Sequence, residues 1–135
     1  MNRIYEALKH VVVLAPASVS ASTETATTFV DAAGAREVEF LVSTAALGSG
    51  KKLKVGVYTS DAAEGTGAIL AAEAEFTAGE EASSLAVISC SVTALAGRYV
   101  GVKFQHDAAA AVVCGVTASL LGREMPAENA WILTA

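Results

Sequence analysis

The sequence predicts an all-β protein: an antiparallel β-sandwich of about eight strands, jelly-roll-like, with a short N-terminal helical turn and an extended C-terminal tail. Three observations carry this. The centre of the chain alternates apolar and polar residues with period two, the pattern of a strand with one buried face. Turn residues interrupt the alternation every 8–15 residues, the spacing of short strands in a sandwich or barrel. Parallel sheets would give continuous apolar runs instead of alternation.

The elements follow in order. Asn2 to Lys9 places Ile4, Tyr5 and Leu8 on one side of a short amphipathic turn. Val11 to Leu14 is a brief apolar strand that Pro16 is expected to stop. Thr25 to Val30 is a Thr-rich strand closed by the turn Asp31–Gly34. Arg36 to Ser43 turns Val38, Phe40 and Val42 inward and Glu37 and Glu39 outward. Lys52 to Thr59 turns Leu53, Val55 and Val57 inward, and Lys52, Lys54 and Tyr58 outward. If these two strands form a hairpin through Gly48-Ser49-Gly50, the glutamates face the lysines across it.

Ile69 to Phe76 is rich in Ala and Glu, which permits helix. The flanking glycines, Gly65, Gly67 and Gly79, leave too short a span for a typical helix, so a strand is expected. Ser84 to Val92 and Ala111 to Leu121 are apolar and β-branched enough for strands near the core. Arg98 to His106 buries Val100, Val102 and Phe104 and exposes Tyr99, Lys103 and Gln105. Val112 and Val116 complete the expected core.

The chain of 135 residues is expected to form one domain, with residues 1–10 as an N-terminal arm and 124–135 as a C-terminal tail. Hydrophobic residues make up 53% and charged residues 17%, which excludes disorder. About a fifth of the chain is alanine, so this fraction overstates the core. A net charge of −5 argues against a nucleic-acid partner, which needs a basic face. No apolar run reaches the ~18 residues of a membrane span. Val11 to Ala15 is too short for a secretory signal, so a cytosolic origin is expected, with reduced thiols.

The candidate chemistry is sparse. Gly48-Ser49-Gly50-Lys51-Lys52 fails the phosphate-loop pattern, which needs glycine where Ala45 stands and Ser or Thr where Lys52 stands. His10 and His106 belong to no metal-binding spacing, and no metal or cofactor is expected. Cys90 and Cys114 read as buried free thiols. Glu73, Glu75, Glu80 and Glu81 read as solvated acids, and no G-x-S-x-G elbow marks a nucleophile. The expectation is a protein without catalysis. The apolar ends, Ile4, Tyr5 and Leu8 with Trp131, Ile132 and Leu133, are its candidate subunit or partner interface, since terminal arms stay mobile unless tied down.

The order of these pieces resembles a known family. The stretches concerned are Val30–Val42, Leu53–Asp61, Gly97–Lys103 and the closing strand Ala111–Leu121 followed by Gly122-Arg123. Together they resemble the small β-sandwich decoration, or cement, proteins of tailed bacteriophages, over most of the chain from about Val11 to Arg123. The resemblance implies a structural virion protein on the outer surface of an HK97-type capsid, binding the major capsid protein and holding capsomers together. It implies self-association, as a homotrimer or a homodimer. A competing reading is a carbohydrate- or receptor-binding module of a phage tail or bacterial surface, with Tyr58, Tyr99 and Trp131 as its exposed aromatics.

Overall fold

The computed structural model describes residues 3–122 and 125–135. Asn2, placed in the helical turn, and Arg123, placed at the end of the last strand, lie outside the described residues. The fold is all-β, as the alternation predicts. A single helical turn α1 (Ile4–Ala7) is followed by β1 (Leu8–Val19), β2 (Thr25–Ala26), β3 (Val30–Asp31), β4 (Glu37–Ala45), β5 (Lys52–Ser60), β6 (Ile69–Thr77), β7 (Ser83–Ser91), β8 (Tyr99–His106) and β9 (Val112–Leu121).

The strands form two antiparallel sheets. The first has the order β1-β9-β4-β7. The second has the order β2-β8-β5-β6, with β3 also paired to β8. Since β2 and β3 both border β8, they act as one interrupted strand. Counted that way, the pairs nest about the β5–β6 hairpin: β4 with β7, then β2/β3 with β8, then β1 with β9. A long antiparallel ribbon rolled up so that alternate pairs fall in alternate sheets is a jelly roll.

The alternation locates the core. Val38, Phe40, Val42, Val55, Val57, Val100, Val102, Phe104, Val112 and Val116 are all buried, and the inward residues of both sheets meet in one cluster. Cys90 and Cys114 are free and buried. Cys90 sits opposite Val38 and Cys114 opposite Thr44, six residues apart along β4. That separation is about 20 Å, well beyond the ~7 Å limit for a disulfide.

Four local expectations change. β1 does not stop at Pro16; it starts at Leu8 and runs to Val19. Pro16 lies in a register shift between Leu14 and Ala17 and packs against Gly115 of β9, 3.4 Å from where a Cβ would stand. A bulge in an edge strand absorbs the missing N–H. Leu8 is therefore a strand residue, and the helical turn is shorter than expected.

The Thr25–Val30 strand is split. Thr27 donates its N–H to the Val102 carbonyl (2.9 Å), and its hydroxyl accepts the Val102 N–H (3.0 Å), in the place of a backbone carbonyl. The chain then leaves the ladder at Thr28. β4 and β5 are not a hairpin either: they lie in different sheets. Gly48 and Gly50 take positive φ in the crossing loop, and Gly50 and Lys51 bond to Ala78 of the β6–β7 loop instead. Consequently Lys52 pairs with Glu75 (3.2 Å) and Lys54 with Glu73 (3.8 Å) on the neighbouring strand β6, not with Glu37 or Glu39.

Candidate interaction site

The two ends of the chain meet, because β1 and β9 are adjacent. In α1 the Glu6 carboxylate accepts the Arg3 N–H (2.7 Å), closing the single turn. The tail then crosses this turn. Ala127 is buried, and its N–H donates to the Glu6 carbonyl (2.7 Å). The Asn129 amide nitrogen donates to the Tyr5 and Leu8 carbonyls (2.9 Å each), and its carbonyl oxygen accepts the His10 N–H (2.9 Å). The Lys9 ammonium caps the Glu128 carbonyl. One asparagine thus satisfies three backbone groups where the helical turn gives way to β1. No sequence pattern marks it, since asparagine in a polar tail is ordinary.

This clasp sorts the six candidate interface residues. Tyr5 and Leu8 are half-buried beneath the tail. Ile4 (75% exposed), Trp131 (96%) and Leu133 (97%) project into solvent, and Ile132 is about half exposed. An almost fully exposed Trp beside an almost fully exposed Leu leaves apolar surface in water. Such surface marks an interaction site when it is contiguous.

A second apolar feature lies at the far edge of the molecule. The two seams between the sheets differ. On the β1 side the seam is sealed: Thr28 donates its N–H to the Val13 carbonyl (3.0 Å), and His106 Nε2 bonds the Val19 carbonyl (2.8 Å). On the opposite side, between β6 and β7, the seam is open. Ala72 and Ala74 stand opposite Val57 and Val55, facing inward, and alanine is too short to fill the ~10 Å between sheets. The result is a groove of about 330 Å³ lined by Phe76, Leu85, Ala86 and Val87, continued by a further 170 Å³ along Ala72, Ala74 and Ile88. β6 is exposed over its whole length.

The other sequence candidates do not converge. His106 is buried: its Nδ1 accepts the Ala108 N–H (3.2 Å) while Nε2 donates to Val19, a structural role. His10 Nδ1 bonds the Ser119 hydroxyl (2.8 Å). Among the described residues no three His, Cys, Asp or Glu side chains gather to hold a metal. Tyr58 and Tyr99 are half-buried and already covered by cations. The Lys103 ammonium sits 4.5 Å from the Tyr58 ring centroid and the Arg98 guanidinium 5.3 Å from that of Tyr99. The Tyr58 ring also lies across Gly56. Arg98 in turn forms a two-pronged pair with Asp31 (2.9 and 2.7 Å), which raises the guanidinium pKa further. Each tyrosine thus has a cation over its ring.

Comparison with protein-family models finds no match, and comparison with curated proteins finds none either. Solved structures share the fold. The PBSX exported protein XepA matches all of this chain over 44% of its own, with 13% identity and a TM-score of 0.61. VP2 of the infectious bursal disease virus subviral particle matches 88% of this chain over 33% of its own, with 10% identity and a TM-score of 0.50. The chain therefore spans less than half the length of either protein, and what it shares with the exported protein and with the protein of the subviral particle is the fold.

Proposed function

We propose that this chain is a non-enzymatic structural component of a virion: a decoration protein that binds the outer surface of an HK97-type phage capsid and strengthens contacts between capsomers. Its partners are the major capsid protein and further copies of itself, a homotrimer favoured, and it is made in the cytoplasm of the bacterial host. The observation that carries this reading is a jelly-roll strand order, in a fold similar to that of VP2 of a subviral particle, in a chain whose apolar ends stand out in solvent. Ile4, Trp131, Ile132 and Leu133 make the contacts, while Tyr5 and Leu8 hold the clasp beneath them. Contacts this small suit a lattice, where many weak identical attachments add by avidity.

Co-sedimentation with expanded, undecorated heads tests the reading. Saturable binding at a fixed copy number per head is expected. Folded protein that stays in the supernatant at every concentration overturns it.

A further inference from the structure

We infer that the open β6–β7 seam is the receptor for the C-terminal tail of a second copy of this chain, so that the copies join head to tail. The inference rests on the proposal that the terminal segments are contact surfaces, and it names what two of those residues contact.

Four observations carry it. First, among the described residues the apolar tail and the open seam lie on opposite sides of the molecule. The tail is clasped against β1, and the seam borders β7; these are the two edge strands of the first sheet. Within its own molecule the tail stays at the β1 side, where the Ala135 carbonyl accepts from the Arg3 guanidinium (3.5 Å). A second copy placed edge to edge brings the tail of one molecule to the seam of the next.

Second, the shapes correspond. Residues 130–135 lack regular structure, and Trp131 and Leu133, two residues apart, are the nearly fully exposed pair. Two-residue spacing puts both side chains on one face of an extended segment. Six extended residues span about 20 Å, the length of β6 from Ala72 to Thr77 along the groove.

Third, the charges correspond. The tail from Ala130 to Ala135 has no ionisable side chain. Of the residues around the larger groove only Glu81 is charged, and its carboxylate is engaged by the Gly79 N–H (2.7 Å). A segment without ionisable side chains meets a groove whose apolar walls, Phe76, Leu85 and Val87, are joined by Ser83, Ser84 and the engaged Glu81; a nucleic acid or an acidic peptide finds no cation there.

Fourth, the seam has free backbone. β6 and β7 each pair with a single neighbour, so each presents an unpaired edge to an incoming extended segment. Such an interface is heterologous, and it closes into a ring when the rotation between copies permits. One aromatic anchor of roughly 200 Å² and one leucine make a contact well below the ~1,600 Å² of a standard interface. The assembly is therefore concentration-dependent and gains from ring closure or a lattice.

The test is disulfide capture in mixtures of the full-length chain. One preparation carries Leu133→Cys and the other Leu85→Cys; both positions are exposed, and the natural thiols are buried. The mixed adduct is expected to exceed both like-with-like adducts. Adding Trp131→Ser to the tail-donating copy is expected to lower its yield about tenfold or more. Sedimentation of the natural chain supplies the second readout: its mean mass should rise with concentration, and Leu85→Glu should hold it at the monomer. Like-with-like adducts in excess, or a natural chain monomeric at all concentrations, overturn the inference. Neither readout uses capsids. A monomer that still binds heads overturns only the tail-to-seam contact, and an oligomer that ignores heads overturns only the proposed function.

Discussion

Two buried threonines, given the same substitution, should move stability in opposite directions. Thr44 faces inward from β4, opposite Ser84 of β7 and Cys114 of β9. It is 3% exposed, and among the described residues its hydroxyl has no hydrogen-bond partner. Thr27 is buried to a similar degree, but its hydroxyl accepts the Val102 N–H (3.0 Å) and donates to the Thr28 carbonyl (2.9 Å). Valine replaces the hydroxyl with a methyl group of nearly the same size. At Thr44 this removes an unpaired polar group and adds apolar contact, for a gain of about 1–2 kcal/mol. At Thr27 it strands a buried backbone N–H, at a cost of about 1–3 kcal/mol. For a domain of this length each kcal/mol moves Tm by about 3–5 °C. Calorimetry and urea unfolding of the two variants give the signs directly. A Thr44→Val variant that melts below the natural chain refutes the reasoning, because the hydroxyl must then have a partner that valine cannot replace.

Other substitutions test the packing and the site. Phe104→Ala empties the centre of the second sheet's buried face and should cost about 3–5 kcal/mol by urea unfolding; a cost below about 1 kcal/mol would place that ring outside the core. Gly97→Ala should lower Tm by more than Gly67→Ala does. A Cβ at residue 97 would stand 2.8 Å from the Ser60 backbone, whereas at Gly67 nothing lies near and only the positive φ is strained. Burial raises the pKa of both Cys90 and Cys114, so the folded state keeps protons that the unfolded chain releases above about pH 8.5. Stability should therefore fall as pH rises through that range, and Cys90→Ala with Cys114→Ala should flatten the slope. Ending the chain after Ala130 should weaken head binding and self-association while leaving Tm within about 2 °C, since the Asn129 clasp remains; unchanged oligomer mass and head occupancy would refute it.

The sequence made faces legible and neighbours illegible. Val38, Phe40 and Val42 announce a buried face because solvent wets one side of the sheet and not the other. Nothing in that alternation says which sheet a strand joins, so β4 and β5 read as a hairpin although a loop carries the chain from one sheet to the other. Pro16 reads as a stop because its missing N–H is local, while the bulge and Gly115 that accommodate it come from 99 residues away in the sequence. Thr25–Val30 reads as one strand because a threonine hydroxyl standing in for a carbonyl leaves no mark in composition. Of the site, the apolar ends were visible, but not the division between Tyr5 and Leu8 under the tail and Trp131 and Leu133 above it. The seam was hidden in Ala72 and Ala74, whose shortness matters only once two sheets face each other.

The pairing of β1 with β9 also bears on how the molecule comes into being. Leu8 meets Leu121, and β9 is the shared neighbour of β1 and β4. The first strand thus waits for the last: during synthesis neither β1 nor one flank of β4 has a partner until β9 leaves the ribosome. Loops this long must close before their contacts give anything back, so folding in the millisecond-to-second range is expected. Until then the nascent chain keeps bare strand edges, and the low-charge sequence has few gatekeepers against pairing with its sisters. Its yield in the cell should therefore depend more on chaperone supply and temperature than its native stability suggests.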